Sequence, residues 1–516
     1  MSIKERASGI LMHVSSLPSE YGIGKLGKSA RQFVDFLKRS GTKYWQILPL
    51  SQTSYGDSPY QSFSIHAGNP YFIDFETLEA EGVLHRKDYS DIEWGVNPRI
   101  VDYSAIYKNC SGVLRKAYSN ARAKRNAEYR RFTEENAFWL DEYSLFMALK
   151  GENEGEPWYK WEPELAAHKA EAVEEARERL RNEIEFFKYT QFWFFRQWKS
   201  LKDYANKNGV EIIGDIPIYV AYDSVEVWSQ PKLFYLDLKK RPIAVAGCPP
   251  DAFSETGQLW GNPLYDWAYM KKTGYKWWKE RISAAKEFYD VLRIDHFRGF
   301  ESYYSIPYGN PTAEKGEWKK GPGYSFFESL SDVIGDYNII AEDLGFITDE
   351  VREMLDKTGY PGMKVLQFGF GGDSASEYLP HNFRTTNTIA YTGTHDNDTI
   401  GGWISTADAE TLKYVKKYFR VRALSEVPES VIRAAWGSIA VLAVAQIQDF
   451  LTGGAARRMN TPSTLGGNWD FRTLSTDFNL RLVRHIRDLN ETFNRLTVTE
   501  DEAEKKIRLR DRLSEE

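Results

Sequence analysis

Val291-Leu-Arg-Ile-Asp295 is a short run of mostly branched apolar residues, interrupted by one arginine, that ends on a carboxylate. A run this short and apolar reads as a buried strand of a parallel sheet. Because side chains alternate with period two along a strand, Arg293 and Asp295 fall on the same face. Seven further runs share the design: Gly9–Val14, Tyr44–Leu48, Val210–Ile213, Asn338–Ala341, Lys364–Phe368, Thr388–Tyr391 and Val441–Ile447. The alanines of the last would suit a helix equally well. Helical stretches lie between the runs, among them Ser29–Ser40, with apolar positions at Phe33, Phe36 and Leu37. Eight parallel strands with helices between them predict an α/β fold of the (β/α)8 barrel type.

The spacing of the runs is uneven. About 160 residues separate the second from the third, too many for one crossover helix, so an insertion over about 52–207 is expected there. Residues 112–150 and 164–207, rich in Ala, Glu, Lys and Arg, make that insertion largely helical. A second excursion, about 219–286, carries many aromatics and prolines and includes the loop 247–263. The charged tail 497–516 reads as a solvated helix. One catalytic barrel over 1–516, carrying these insertions and no separate carboxyl-terminal β domain, is the expected organisation.

The 67 basic and 73 acidic residues leave a formal charge of -6, with no basic field to attract nucleic acid. No stretch reaches the roughly 18 apolar residues that span a bilayer, and the amino-terminal apolar run lacks a cleavage site. Two cysteines, Cys110 and Cys248, cannot build a disulfide framework, which makes the cytoplasm the expected compartment. The aromatic load is high, with 16 Trp, 31 Tyr and 29 Phe. Such rings offer flat faces to the C–H surfaces of pyranoses, although a large aromatic core would account for them as well.

In a barrel of this kind the chemistry sits at the carboxyl ends of the strands. There the chain places Gly214-Asp215, Asp295-His296, Glu342-Asp343 and Thr394-His395-Asp396-Asn397-Asp398. An arginine beside Asp295 would keep it ionised, as a carboxylate nucleophile needs, or the two could form a purely structural pair. Glu342 follows the apolar Ile339-Ile-Ala341, an environment that favours the protonated form of a general acid. Asp343 reads as a first-turn acid for the helix after Gly345. His395 and Asp396 are placed to hydrogen-bond sugar hydroxyls as a ring flattens towards an oxocarbenium ion, or to make a polar turn.

Gly22-Ile-Gly-Lys-Leu-Gly27-Lys28-Ser29 satisfies the phosphate-binding loop pattern, but Ser15 to Tyr21 separates it from the strand it should leave directly. No histidine spacing suggests a metal site.

Taken together, Asp57-Ser-Pro-Tyr-Gln-Ser-Phe-Ser64, Gly214-Asp-Ile-Pro-Ile-Tyr219, Gly247-Cys-Pro-Pro-Asp-Ala-Phe-Ser-Glu-Thr-Gly-Gln258, Trp260-Gly-Asn-Pro263, Arg293-Ile-Asp-His-Phe-Arg-Gly299 and Thr394-His-Asp-Asn-Asp398 resemble the 4-α-glucanotransferases called amylomaltases or disproportionating enzymes, glycoside hydrolase family seventy-seven. The resemblance implies an α-amylase-like barrel with Asp295 as nucleophile, Glu342 as acid and base, and Asp396 as transition-state stabiliser. It also implies that Arg293 supports the nucleophile, that Asp215 and His395 line the site, and that Tyr60 stacks on the sugar at the cleavage point. Asp251, Gln258 and Trp260 become acceptor-side contacts on a mobile loop, and Asn468 a further one. The implied reaction is a double displacement on maltooligosaccharides and α-1,4-glucans, with glucose or another maltooligosaccharide as acceptor and no metal or organic cofactor. An α-amylase-like hydrolase with the same three acids, or a glycan-binding barrel without turnover, would fit the same segments.

Overall fold

A computed structural model of the chain describes residues 3, 5–53, 56–121, 127–250, 254–451 and 454–497. Among them are twelve strands: β1 (Ala7–Leu11), β2 (Tyr44–Gln46), β3 (Glu211–Ile216), β4 (Ala244–Cys248), β5 (Gln258–Pro263), β6 (Val291–Ile294), β7 (Ser302–Pro307), β8 (Glu317–Lys320), β9 (Asn338–Ala341), β10 (Gly362–Val365), β11 (Thr388–Tyr391) and β12 (Leu442–Gln446). Eight of them form one parallel sheet in the order β10-β11-β12-β1-β2-β3-β6-β9. The two ends of that sheet meet. Ala341 N–H donates to Pro361 O at 3.0 Å, and Met363 N–H donates to the Asp343 carboxylate at 2.6 Å, closing a (β/α)8 barrel between β9 and β10.

These eight strands are the eight runs read from the sequence, with ends shifted by a few residues. The last is a strand: Leu442–Gln446 pairs with β1 and β11, and the helical turn Ile447–Phe450 only begins after it. Inside the barrel, β2 shows how the alternation works. Trp45 points outwards, its ring meeting Phe33 of the helix Lys28–Ser40 edge-on at 5.0 Å. Gln46 points inwards and accepts from the Tyr391 hydroxyl at 2.9 Å. That helix is amphipathic, burying Ala30, Phe33, Val34 and Leu37 at helical spacing. It stops at Gly41, whose left-handed φ of 68° lets its N–H reach back to Leu37 O and Lys38 O.

The segment between β2 and β3 is largely helical, with helices at Tyr103–Ala121, Ala127–Glu135, Ala137–Glu152, Ala170–Arg179 and Arg181–Lys207. The last of these buries Phe186, Tyr189, Phe192, Trp193, Phe194 and Trp198, which accounts for part of the aromatic load as core. The remaining four strands form an antiparallel sheet, β5-β4-β7-β8, drawn from the segments after β3 and β6. The alternation read from the sequence has no counterpart of this sheet, because β4 and β5 carry glycines and β5 and β8 expose many of their side chains. The charged tail expected as a helix lies, Thr497 apart, outside the described residues. No described helix is long and apolar enough to cross a membrane.

The phosphate-loop lookalike is occupied by the protein itself. Lys25 is buried, donates to Tyr71 O at 2.7 Å and lies 4.0 Å from the centroid of the Phe75 ring. A Cβ on Gly27 would collide with the Asp74 carboxylate.

Candidate active site

Strand register assembles the site before any side chain is considered. Asp215 of β3 pairs with Arg293 of β6, and Ile294 pairs with Ala341 of β9, so Asp295 and Glu342 leave adjacent strands side by side. Adjacent strands lie about 4.8 Å apart. The backbone continues the alignment past the strand ends, since Asp295 N–H donates to Ile216 O and Glu342 N–H to Ile294 O, each at 3.0 Å. Next to Asp215, position 214 must be glycine: a Cβ there would sit 2.1 Å from the Tyr289 ring.

Arg293 is the hub. It contacts Asp215 at 2.5 Å through one terminal nitrogen and Asp295 at 2.9 Å through the other. Its side chain is 4 % exposed, that of Asp215 is closed to solvent, and that of Asp295 keeps 29 % of its surface open. Burial works against the guanidinium charge, and the facing carboxylates of Asp215 and Asp295 more than offset it, holding the Arg293 pKa well above its usual value. Burial pushes Asp295 above the ordinary carboxylate range; Arg293 pulls it back, and the charges of Asp215, Glu342 and Asp396 push it further up. Burial likewise raises Glu342, against Arg293 and two backbone donors. Those donors are the N–H groups of His296 and Leu344, at 2.7 and 2.8 Å from its two carboxyl oxygens.

Tyr60 donates to Asp215 at 2.7 Å, and its ring stacks on His395 with centroids 4.8 Å apart and planes 18° from parallel. Burial, then the Asp215 charge, raises the Tyr60 pKa far above 10, so the hydroxyl stays a donor. Burial lowers the His395 pKa. Asp396 is half exposed, accepts from Asn460 Nδ2 at 2.6 Å and lies 3.4 Å from His395 Nε2. Trp260 places its ring edge-on to His296 at 4.8 Å, and its indole N–H donates to Gln258 at 3.1 Å.

The structure therefore brings together Tyr60, Asp215, Arg293, Asp295, Glu342, His395 and Asp396, with Trp260 reaching them through His296 and Gln258 bonded to it. Asn468 is set in the 459–469 loop, where its amide accepts from Thr461 N and donates to Thr464. Asp251 lies outside the described residues. Asp343 departs from the expected helix-capping role: it is buried and accepts from Met363 N at the barrel seam, while Thr348 directly precedes the helix Asp349–Thr358. Burial raises its pKa to about 7.

Four further residues contribute that the sequence had not offered as site residues. His296 supplies the N–H that holds Glu342, and Asn460 holds Asp396. Trp469 packs near both Tyr60 and His395, at 5.8 Å from each. His13 follows β1 and accepts from Leu48 N at 3.2 Å; burial, then the nearby His395, lowers its pKa to about 3. Only His296 and His13, as polar residues at the ends of apolar runs, left a sequence signal. Among the described residues no cluster of His, Cys, Asp and Glu is arranged to hold a metal ion.

Chemically, the arrangement offers one carboxylate fixed by a buried cation beside a second carboxyl held by backbone donors, with polar and aromatic groups around the opening. A family model described as 4-alpha-glucanotransferase matches residues 12–476. The chain is 49 % identical over 486 residues to a 4-alpha-glucanotransferase of Clostridium butyricum, covering 94 % of this chain and 100 % of the relative. It is 44 % identical to one of Thermus thermophilus, covering 95 % and 99 %. Its fold superposes on an amylomaltase from Streptococcus agalactiae in complex with acarbose with a TM-score of 0.92, at 42 % identity over 95 % of this chain and 100 % of the other. By its sequence, its barrel and the acids at the strand ends, the chain belongs to the 4-alpha-glucanotransferase family.

Proposed function

We propose that this chain moves a segment of an α-1,4-glucan onto the 4-hydroxyl of glucose or of another maltooligosaccharide by a retaining double displacement. The observation that carries the reading is Arg293, which grips Asp215 and Asp295 at once while Asp295 stands in register beside Glu342. Direct contact with the guanidinium opposes the rise that burial imposes on Asp295, as a nucleophile needs, and burial favours the protonated form of Glu342, as a general acid needs. Asp295 attacks the anomeric carbon as Glu342 protonates the leaving oxygen, and a β-glycosyl ester forms on Asp295. Glu342, now a base, deprotonates the acceptor hydroxyl, which displaces Asp295 and restores the α linkage. The places of Asp295 and Glu342 at the ends of neighbouring strands, which lie about 4.8 Å apart, suit the close carboxyl spacing of about 5–5.5 Å that a retaining pair needs. Asp396, with His395, steadies the sugar hydroxyls as the ring flattens.

Transfer in place of hydrolysis requires that the acceptor, not water, meets the intermediate. Trp260, standing over His296, and Gln258 are suited to line the acceptor side and exclude water there. The stacked Tyr60 and His395 rings present a flat platform for the donor sugar. A chain with two cysteines, too few for a disulfide framework, fits work in the cytoplasm.

Product analysis on maltotriose tests the reading. Glucose together with maltopentaose and longer chains is expected. Conversion to glucose and maltose alone would overturn transfer in favour of hydrolysis.

A further inference from the structure

Three residues past Asp295, Arg298 is only 3 % exposed. Its guanidinium donates to the backbone carbonyl of Phe346 and, at 2.9 Å, to the Ser302 hydroxyl, while its flat face lies 3.8 Å from the centroid of the Trp318 ring. Burying a cation is costly, and it is normally spent on an ion pair or on core packing. Here the two aromatic residues that it holds, Trp318 by its ring and Phe346 by its backbone carbonyl, stay at the surface, at 38 % and 71 % exposure. Neither belongs to the apolar core. Arg298 therefore fixes the Trp318 ring, and the backbone that carries the Phe346 ring, where water does not favour them.

Their location points to sugar. Phe346 lies four residues beyond Glu342, on the loop that leaves the acid side of the site. Tyr219 is buried near Arg298. Its ring is 6.4 Å from that of Trp260, and its hydroxyl is close enough to Arg298 for the two to influence each other's ionisation. Arg298 and Phe346 thus sit on the loops that leave the strands of Asp295 and Glu342, and Arg298 brings the exposed Trp318 ring beside them.

Building on the glucan-transfer reading, we infer that Trp318 and Phe346 form an outlying glucose-ring subsite, on the leaving-group and acceptor side, that grips α-1,4-glucan chains long enough to emerge from the cleft. Pyranose C–H faces pack on such rings, and the cation beneath Trp318 keeps the indole in place before the chain arrives. Short substrates end before they reach it.

The test compares Trp318→Ala, Phe346→Ala and Trp318→Phe with the parent enzyme on maltotriose and on maltoheptaose. Both alanine variants are expected to lose about five- to tenfold in kcat/KM on maltoheptaose, through KM, and less than twofold on maltotriose. Trp318→Phe, which keeps a ring, should retain most of the maltoheptaose activity. Equal losses on both substrates, or no loss on either, would overturn the subsite. Phe346→Ala removes a largely exposed side chain, so the question stays answerable even where Trp318→Ala folds poorly. Failure of the glucan-transfer reading would show separately, as a parent enzyme that makes no longer chains from maltotriose.

Discussion

The backbone N–H of His296 donates to Oε2 of Glu342 at 2.7 Å, so the residue that follows the proposed nucleophile holds the proposed acid on the neighbouring strand. His296 makes this contact from the left-handed region, at φ 52° and ψ 49°. A non-glycine residue there carries on the order of 1 kcal/mol of strain, more if it is β-branched. Glycine adopts the conformation freely. His296→Gly should therefore fold well and keep the N–H contact, whereas His296→Val should be about 1–2 kcal/mol less stable than the glycine variant and lose more activity. Urea denaturation and initial rates on maltotriose measure both. Indistinguishable valine and glycine variants would show that the left-handed turn is not what positions Glu342.

Separating the two roles of Glu342 isolates Asp295. Fluoride leaves without protonation, so Glu342→Gln supplied with α-maltosyl fluoride should still form the glycosyl ester on Asp295, yet lack the base that passes the sugar to an acceptor. The ester should accumulate and be found on the peptide carrying Asp295 by mass spectrometry. On maltotriose the same variant should be slowed by a factor on the order of 10²–10⁴, the usual contribution of general acid–base catalysis. A label on another carboxylate would move the nucleophile.

Asp343 couples barrel closure to pH. Its folded pKa of about 7 lies above the unfolded value of about 3.9, because burial penalises its charge. The folded state therefore holds this proton more tightly. The resulting stability is complete below about pH 4 and is lost as pH rises towards 7. Asp343→Asn keeps an acceptor for Met363 N–H and cannot ionise. It should match the parent near pH 4 and exceed it by roughly 2–4 kcal/mol at pH 8. Parallel stability curves across that range would remove Asp343 from the pH dependence.

Most of this architecture is written in local chemistry. All eight barrel strands show in the sequence because parallel strands are buried on both faces and are therefore mostly apolar. Asp215, Arg293, Asp295 and Glu342 show because register turns strand-end position into spatial proximity. What escapes is set by partners distant in the chain. Asp343 looks like a helix-capping acid until Met363, 20 residues later, is seen across the seam. Asn460 sits in a loop with no periodicity, and its value lies in reaching Asp396, 64 positions away. The antiparallel β5-β4-β7-β8 sheet hides for its own reason: glycines in β4 and β5 and exposed positions in β5 and β8 leave little of the apolar alternation by which strands are read.

Asn460 allows the positioning of Asp396 to be tested apart from stability. Asp396 is held at one carboxyl oxygen by the Asn460 amide at 2.6 Å, and its backbone carbonyl accepts from Arg458 at 2.6 Å. Its side chain is 49 % exposed, so water can replace the amide at little cost in folding. Asn460→Ala should therefore leave the denaturation midpoint almost unchanged. The carboxylate, however, would no longer be fixed where positive charge develops on the flattening ring, and misplacement by about 1 Å costs on the order of 10²-fold. If Asp396 acts mainly in the transition state, kcat should fall by about 10- to 100-fold while KM for maltotriose changes little. Asn460→Asp sharpens the comparison, because it keeps the side-chain length but sets a second negative charge against Asp396, and it should be at least as slow as the alanine variant. An Asn460→Ala enzyme with unaltered kcat and a raised KM would mean that Asp396 contributes to ground-state binding, and its assignment as transition-state stabiliser would have to be withdrawn.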